Sequence, residues 1–333
     1  FGANGSSSNG FATVGTYRIM CDGPEVLLFV YAQTFWAEVF IDGRPLPANP
    51  LVLATSTGYA PYGFQKLVFA SAKPRLIEIR MVGGFVAVYT KKPYRIWKPT
   101  PDSNPSVAVV GDSYVAPTTM NNASAGNVTE GYYVRGLYQG MASDLGITRM
   151  STDGLGGTGY IAPGGSTRPY SHPDRVQWLV TLNPDVIIMH GGGANDLFTG
   201  NSVAATIAAA KDRFIDLRAN HPEAKLVFVE GFSPPVFTPS LFNPNYIAIR
   251  QGVQAALATE GIDAYYIDVA TTRPPLNGSG YVTAANGTGN SDIYAGSDGA
   301  HLTIVGNKFA RSFLAPKIAK VLADDGRLIN QLI

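Results

Sequence analysis

Two rhythms of apolar and polar positions divide the chain. Up to about Thr100 the apolar positions come in short runs between turn residues: Glu25 to Tyr31, Trp36 to Ile41, Gln65 to Ala70, Arg75 to Met81 and Phe85 to Tyr89. Ile77, Ile79 and Met81 alternate with Glu78 and Arg80, as in a strand with one buried face. Asp42-Gly43 after the second run is a hairpin signal, and Gly83-Gly84 turns the chain into the last. No stretch there has a helical period. The pattern predicts a small antiparallel β-sandwich domain over residues 11–100, behind a Gly/Ser/Asn-rich leading segment, residues 1–10, that reads as flexible.

Beyond the Pro-rich stretch around Pro99, Pro101 and Pro105 the rhythm changes. Ser106–Val110, Thr148–Thr152, Asp185–Met189, Lys225–Val229 and Ala264–Val269 read as short buried strands. Helical patterns cover Tyr132–Leu145, Val203–Arg218, Tyr246–Ala258 and Thr303–Leu322, the last expected to kink at Pro316. Alternating strand and helix over residues 101–333 predicts an α/β domain whose parallel sheet is covered on both faces. Ligands of such sheets collect at the carboxyl ends of the strands.

Composition narrows the function classes. Apolar residues make up 45% of the 333 positions, enough for a sizeable core. Charged residues are only 15%, and Gly and Pro number 37 and 23, a turn-rich and weakly charged surface that suits a secreted, extracellular or virion-associated protein. A net charge of +1 leaves no basic surplus for nucleic acid. The single cysteine, Cys21, allows neither an intramolecular disulfide nor a cysteine metal cluster. No apolar run is long enough to span a membrane. The start at Phe1, without a leader, reads as a mature or trimmed product.

Four stretches at predicted strand ends or helix heads carry candidate chemistry. The first strand runs into Gly111-Asp112-Ser113, where Ser113 is either an exposed nucleophile or a turn serine capping the next helix. It lacks the second glycine of the nucleophile elbow, since Val115 stands there. Gly154-Leu155-Gly156-Gly157-Thr158-Gly159 satisfies a dinucleotide fingerprint by spacing, but loop residues follow it where a helix should open. Its glycines can instead bring a backbone N–H close to a substrate oxygen. Asn195, after Gly191–Gly193, is placed to offer its amide to an oxyanion or to satisfy its own turn. Asp298 stands three residues before His301, so its carboxylate can orient the imidazole; a capping role is the alternative. His190, at the same sheet edge, is the rival base. Asp112 and Asp196 read as loop architecture.

In that order the four stretches resemble the SGNH (GDSL-type) hydrolase family over roughly residues 106–323. GDS, GGxND and DxxH are clear. Tyr114 replaces the usual leucine after the serine, and the second block leaves Gly156 and Gly157 as donors, of which Gly156 is chosen. The resemblance implies a flavodoxin-like sheet flanked by helices and ester hydrolysis by Ser113, His301 and Asp298, without metal or cofactor. The oxyanion would meet the Ser113 and Gly156 N–H groups and the Asn195 side chain. A β domain ahead of such a domain resembles two-domain carbohydrate O-acetylesterases, which implies an acylated carbohydrate or small ester as substrate and a possible docking role for residues 11–100. The alternatives are a general short-chain esterase or lipase, and a viral-tail or cell-surface binding module with a degenerate hydrolase domain. Two loops are candidate walls of the pocket: Phe232–Tyr246, with Phe237 and Phe242, for which plain packing is the alternative, and Gly159–Arg175, with Tyr160, Arg168 and Tyr170.

Overall fold

The computed structural model describes residues 12–31, 35–47, 51–53, 62–82, 84–100, 104–116, 136–165, 167–191, 193–232, 239–269 and 276–324. Residues 1–10, expected as a flexible leader, and Phe237 lie outside them.

The first nine strands are β1 (Ala12–Cys21), β2 (Glu25–Tyr31), β3 (Phe35–Ile41), β4 (Arg44–Pro45), β5 (Leu51–Leu53), β6 (Tyr62–Val68), β7 (Arg75–Val82), β8 (Gly84–Thr90) and β9 (Ile96–Trp97). β6, β2 and β8 form one antiparallel sheet, which faces the antiparallel run β1-β7-β3-β4 across a dry core. Val26, Leu28 and Val30 from β2 meet Ile77, Ile79 and Met81 from β7 there, as strict alternation requires. The Asp42-Gly43 hairpin forms as expected, with φ of 52° and 77° at the two turn residues joining β3 to β4. One expectation changes. Glu78 and Arg80 are buried rather than solvated, because long side chains of the flanking strands, Arg18 on β1 and Phe40 on β3, lie against them. Arg80 stacks 4.6 Å over the Phe40 ring and is paired across the ladder with Glu38. Burial lowers its pKa, against the pull of Glu38 and Glu78.

The second part alternates as predicted: β10 (Ser106–Gly111), α1 (Leu137–Asp144), β11 (Arg149–Gly154), α2 (Pro173–Leu182), β12 (Val186–His190), α3 (Gly193–Phe198), α4 (Val203–Asn220), β13 (Lys225–Val229), α5 (Pro239–Thr259), β14 (Tyr265–Ile267), α6 (Ser291–Tyr294) and α7 (Ile304–Ala323). Five strands are parallel in the order β11-β10-β12-β13-β14, the flavodoxin-like winding. Successive strand residues feed opposite cores. Val107, Val109, Ile188 and Val227 pack under α1 and α7, while Ala108, Val110, Ile187 and Phe228 pack under α2, α4 and α5. That is why these strands read as continuous apolar runs. None of the helices among the described residues is long and apolar enough to cross a membrane.

The two parts share one sheet. β1 pairs antiparallel with β11, with Ala12 opposite Gly154 and Val14 opposite Thr152, and with β7 on its other side. α5 also begins earlier than its pattern implies. The expected loop Phe232–Tyr246 is helical from Pro239, whose missing N–H costs nothing in a first turn.

Candidate active site

The chain leaves β10 through a turn in which the Asp112 carbonyl accepts from the N–H groups of Val115, at 3.1 Å, and Ala116, at 3.0 Å. The Asp112 carboxylate is buried and accepts from the Tyr114 N–H at 2.9 Å. Gly191 lies against the same carboxylate: at φ 71°, a Cβ on it would stand 2.5 Å from Asp112 Oδ2. Asp112 therefore shapes the turn, as its reading as loop architecture implies. Ser113, half-buried, sits on that turn at the carboxyl edge of the sheet.

The second and third stretches are laced together. After β11, Leu155 to Thr158 makes a turn closed at 3.3 Å, with Gly156 and Gly157 at its tip and Gly157 at φ 74°. Asn195, on α3, donates from Nδ2 to the Thr158 carbonyl at 2.9 Å. The fully buried Asp196 accepts from the N–H groups of Tyr160, Ile161 and Ala162 at 3.0, 2.9 and 2.6 Å. Burial raises its pKa even so, the three N–H bonds opposing the shift.

The fourth stretch precedes α7. Asp298 Oδ1 accepts from the Ala300 and His301 N–H groups at 2.9 and 3.0 Å, and Oδ2 lies 2.5 Å from His301 Nδ1. Both side chains keep about a quarter of their surface in solvent, 24% for His301 and 28% for Asp298. A carboxylate on Nδ1 selects the tautomer whose Nε2 can accept a proton. Tyr114 connects this stretch to the first: its hydroxyl donates to the Ala300 carbonyl at 2.5 Å, and its ring lies 5.8 Å from the His301 ring.

His190 is a core residue. It is wholly buried, with Nδ1 2.6 Å from the Tyr138 hydroxyl and its ring packed against Phe232 at 5.3 Å. Burial drives its pKa down to about 3. At neutral pH it is an uncharged, buried imidazole.

No protein-family model matches the chain, and no curated protein is similar to it in sequence. Solved structures are. A family two carbohydrate esterase from Clostridium thermocellum, in complex with cellohexaose, matches 94% of each chain at 17% identity and a TM-score of 0.60. A family two carbohydrate esterase from Cellvibrio japonicus matches 94% of each at 17% identity and a TM-score of 0.63. The chain has the fold of an SGNH-type carbohydrate esterase. The salicylyl-acyltransferase SsfX3 of a tetracycline biosynthetic pathway has the same fold, at 14% identity and a TM-score of 0.56 over 92% of this chain and 83% of that one.

Within this carbohydrate-esterase fold, two sequence expectations need correction. Tyr160 and Tyr170 do not wall a pocket: they are 3% and 0% exposed, pack edge-on to each other and belong to the core beneath α2 and α4. The Tyr170 hydroxyl is spent on the His190 carbonyl at 2.7 Å. Arg168 reaches Asp174 at the head of α2, 3.5 Å away. Phe242 stands on α5 rather than in a loop.

Arg175 is the residue that sequence reasoning missed. From α2, fully buried, its guanidinium donates to the carboxylate and carbonyl of Asp153, the Gly111 carbonyl, the Thr158 hydroxyl and the Arg168 carbonyl at 2.8–3.3 Å. It thereby joins the ends of β10 and β11 to the glycine turn. An arginine in the first turn of an amphipathic helix looks solvated; only the absence of a nearby charge on the same face could have drawn attention to it.

Proposed function

We propose that this protein is a serine esterase that removes short acyl groups, acetyl above all, from a carbohydrate or polysaccharide. One observation carries the reading: the 2.5 Å contact between Asp298 and His301, with the ring of the residue after Ser113 packed against that imidazole. Ser113 Oγ attacks the ester carbonyl as His301 Nε2 takes its proton, and Asp298 orients the ring and stabilises the imidazolium. The oxyanion meets the N–H groups of Ser113 and Gly156 and the free amide hydrogen of Asn195. Each such donor is worth about 2.7–4 kcal/mol in the transition state. The C–O bond then breaks, the departing sugar hydroxyl takes the proton from His301, and the acetyl group stays on Ser113. Water attacks in turn, gives its proton to His301, and Ser113 leaves with that proton as acetate is released.

The carbohydrate class is supported by the family two esterases that share the fold, one of them holding cellohexaose. The weakly charged, turn-rich composition supports action outside the cell or on a virion. Neither a metal nor an organic cofactor has a role in these steps.

A fluorophosphonate probe and an ester panel test the reading together. The probe should label Ser113, and Ser113→Ala should lose about a million-fold in kcat, His301→Ala nearly as much and Asp298→Asn about ten-thousand-fold or less, with the fold intact. Nitrophenyl acetate should be turned over faster than the butyrate, and the butyrate much faster than the octanoate. Acetylated glycans should release acetate. A protein that is not labelled is a binding module, and a maximum at eight carbons or longer makes it a lipase.

A further inference from the structure

Tyr114 stands where the resemblance leads one to expect leucine, and its hydroxyl is used. The residue is fixed at both ends. Its N–H donates to Asp112 Oδ1 at 2.9 Å, which ties the backbone to the Ser113 turn. Its hydroxyl donates to the Ala300 carbonyl at 2.5 Å, one residue before His301 and 186 residues along the chain. Between those ends the ring lies 5.8 Å from His301 and 5.1 Å from Phe232.

Several backbone bonds of the stretch that holds Asp298 and His301 are local. Gly296 N–H donates to the His301 carbonyl at 2.6 Å, Gly299 N–H to Gly296 at 2.9 Å, and Thr303 N–H to Tyr294 at 2.8 Å. Those bonds set the shape of the loop and leave its position relative to the serine to other contacts. Leu302 anchors one side of it in the core. The Tyr114 hydroxyl reaches across from the turn after β10 that carries Ser113. We infer that Tyr114 is a positioning residue that holds the His301 loop in register with Ser113, a role that rests on the esterase reading above. Burial first, then Tyr246, Asp112 and Asp298, push its phenol well above the usual range, so the hydroxyl keeps its proton and remains a donor wherever the enzyme works.

Tyr114→Phe removes the hydroxyl and keeps the ring, and Tyr114→Leu removes both. Nitrophenyl acetate kinetics, the rate of fluorophosphonate labelling at Ser113, thermal midpoints and the solvent exchange of the His301 Nδ1 proton by NMR are the readouts. In Tyr114→Phe, kcat and the labelling rate should both fall about ten- to a hundredfold, as for a base displaced by a fraction of an ångström. KM should stay within about twofold, because no contact to bound substrate is lost. The Nδ1 proton should exchange faster while the midpoint stays close to that of the parent. Tyr114→Leu should be worse in kcat again.

Unchanged kcat and labelling in Tyr114→Phe would overturn the assignment, whatever the exchange does. So would a midpoint that falls in step with kcat, or a rise in KM that accounts for the loss, since those mark packing or binding. Failure of the esterase reading is seen separately, as a parent protein that neither labels nor hydrolyses. The exchange of the Nδ1 proton then decides alone whether the tether holds the loop.

Discussion

Two buried arginines, one on α2 and one on α4, should respond to substitution in opposite directions. Arg175 has every nitrogen engaged, and Asp153 depends on it for the 2.8 Å contact that satisfies Oδ2. Arg175→Met would leave that carboxylate buried and unpaired, a loss of about 3–5 kcal/mol, and lysine could not replace the forked donor. Arg213, on α4, is 2% exposed, and its three guanidinium nitrogens meet no hydrogen-bond partner among the described residues. Burial lowers its pKa to about 10. Arg213→Met should therefore be neutral or stabilising, by up to about 4 kcal/mol. Urea unfolding of both variants checks the pair: equal losses would mean that Arg213 is satisfied after all. Neither role is legible in the sequence, because the partners of Arg175 are scattered from Gly111 to Arg168 and a partner's absence leaves no trace in a string. Asp298 and His301 were legible for the converse reason. Their pairing is local, and three residues of spacing suffice to bring a carboxylate to an imidazole. Tyr160 and Tyr170 misled because a phenol has an apolar body and a polar tip, and composition cannot say which one the fold uses.

At the scale of elements, the strand most exposed to test is β1. Its Ala12–Val14 end covers the outer edge of β11, whose last residues, Asp153 and Gly154, lead into the glycine turn. Removing residues 1–14 should open that edge, while a chain lacking only residues 1–11 isolates what the three paired residues add. The longer deletion should lower the thermal midpoint and kcat and promote association through the bare edge, seen by light scattering. Equal behaviour of the two chains would show that the β1–β11 ladder carries nothing. β10, β12 and β13 could be read from sequence because a strand covered on both faces is a plain apolar run. β1 could not. Its ATVGTYRIMC mixes small, polar and charged residues, since one strand serves a sandwich and the edge of a parallel sheet at once. The start of α5 was hidden by prolines that mark loops elsewhere: Pro239 is harmless at the helix head, while Pro244 lies inside the helix.

The molecule as a whole should lose stability in mild acid through His190. Its pKa is about 3 in the folded state and about 6.5 when unfolded. Between those values the unfolded chain binds a proton that the folded chain refuses. Stability is thus full above about pH 6.5 and falls on acidification, by up to about 1.4 kcal/mol per pH unit. Asp196, with its raised pKa, works in the opposite direction and offsets part of the slope. Urea midpoints of the parent and His190→Gln at pH 7, 5 and 4 separate the two: the substitution should flatten the acid limb, and a parent-like slope would assign it elsewhere.

The tether from Tyr114 to Ala300 also sets a timetable for synthesis. Tyr114 and the turn that holds Ser113 leave the ribosome well before the loop they meet, which follows 186 residues behind. On the proposed mechanism a nascent or prematurely ended chain carries the serine without its base, so competence to cut an ester arrives in one step, once that loop is made, rather than growing with length.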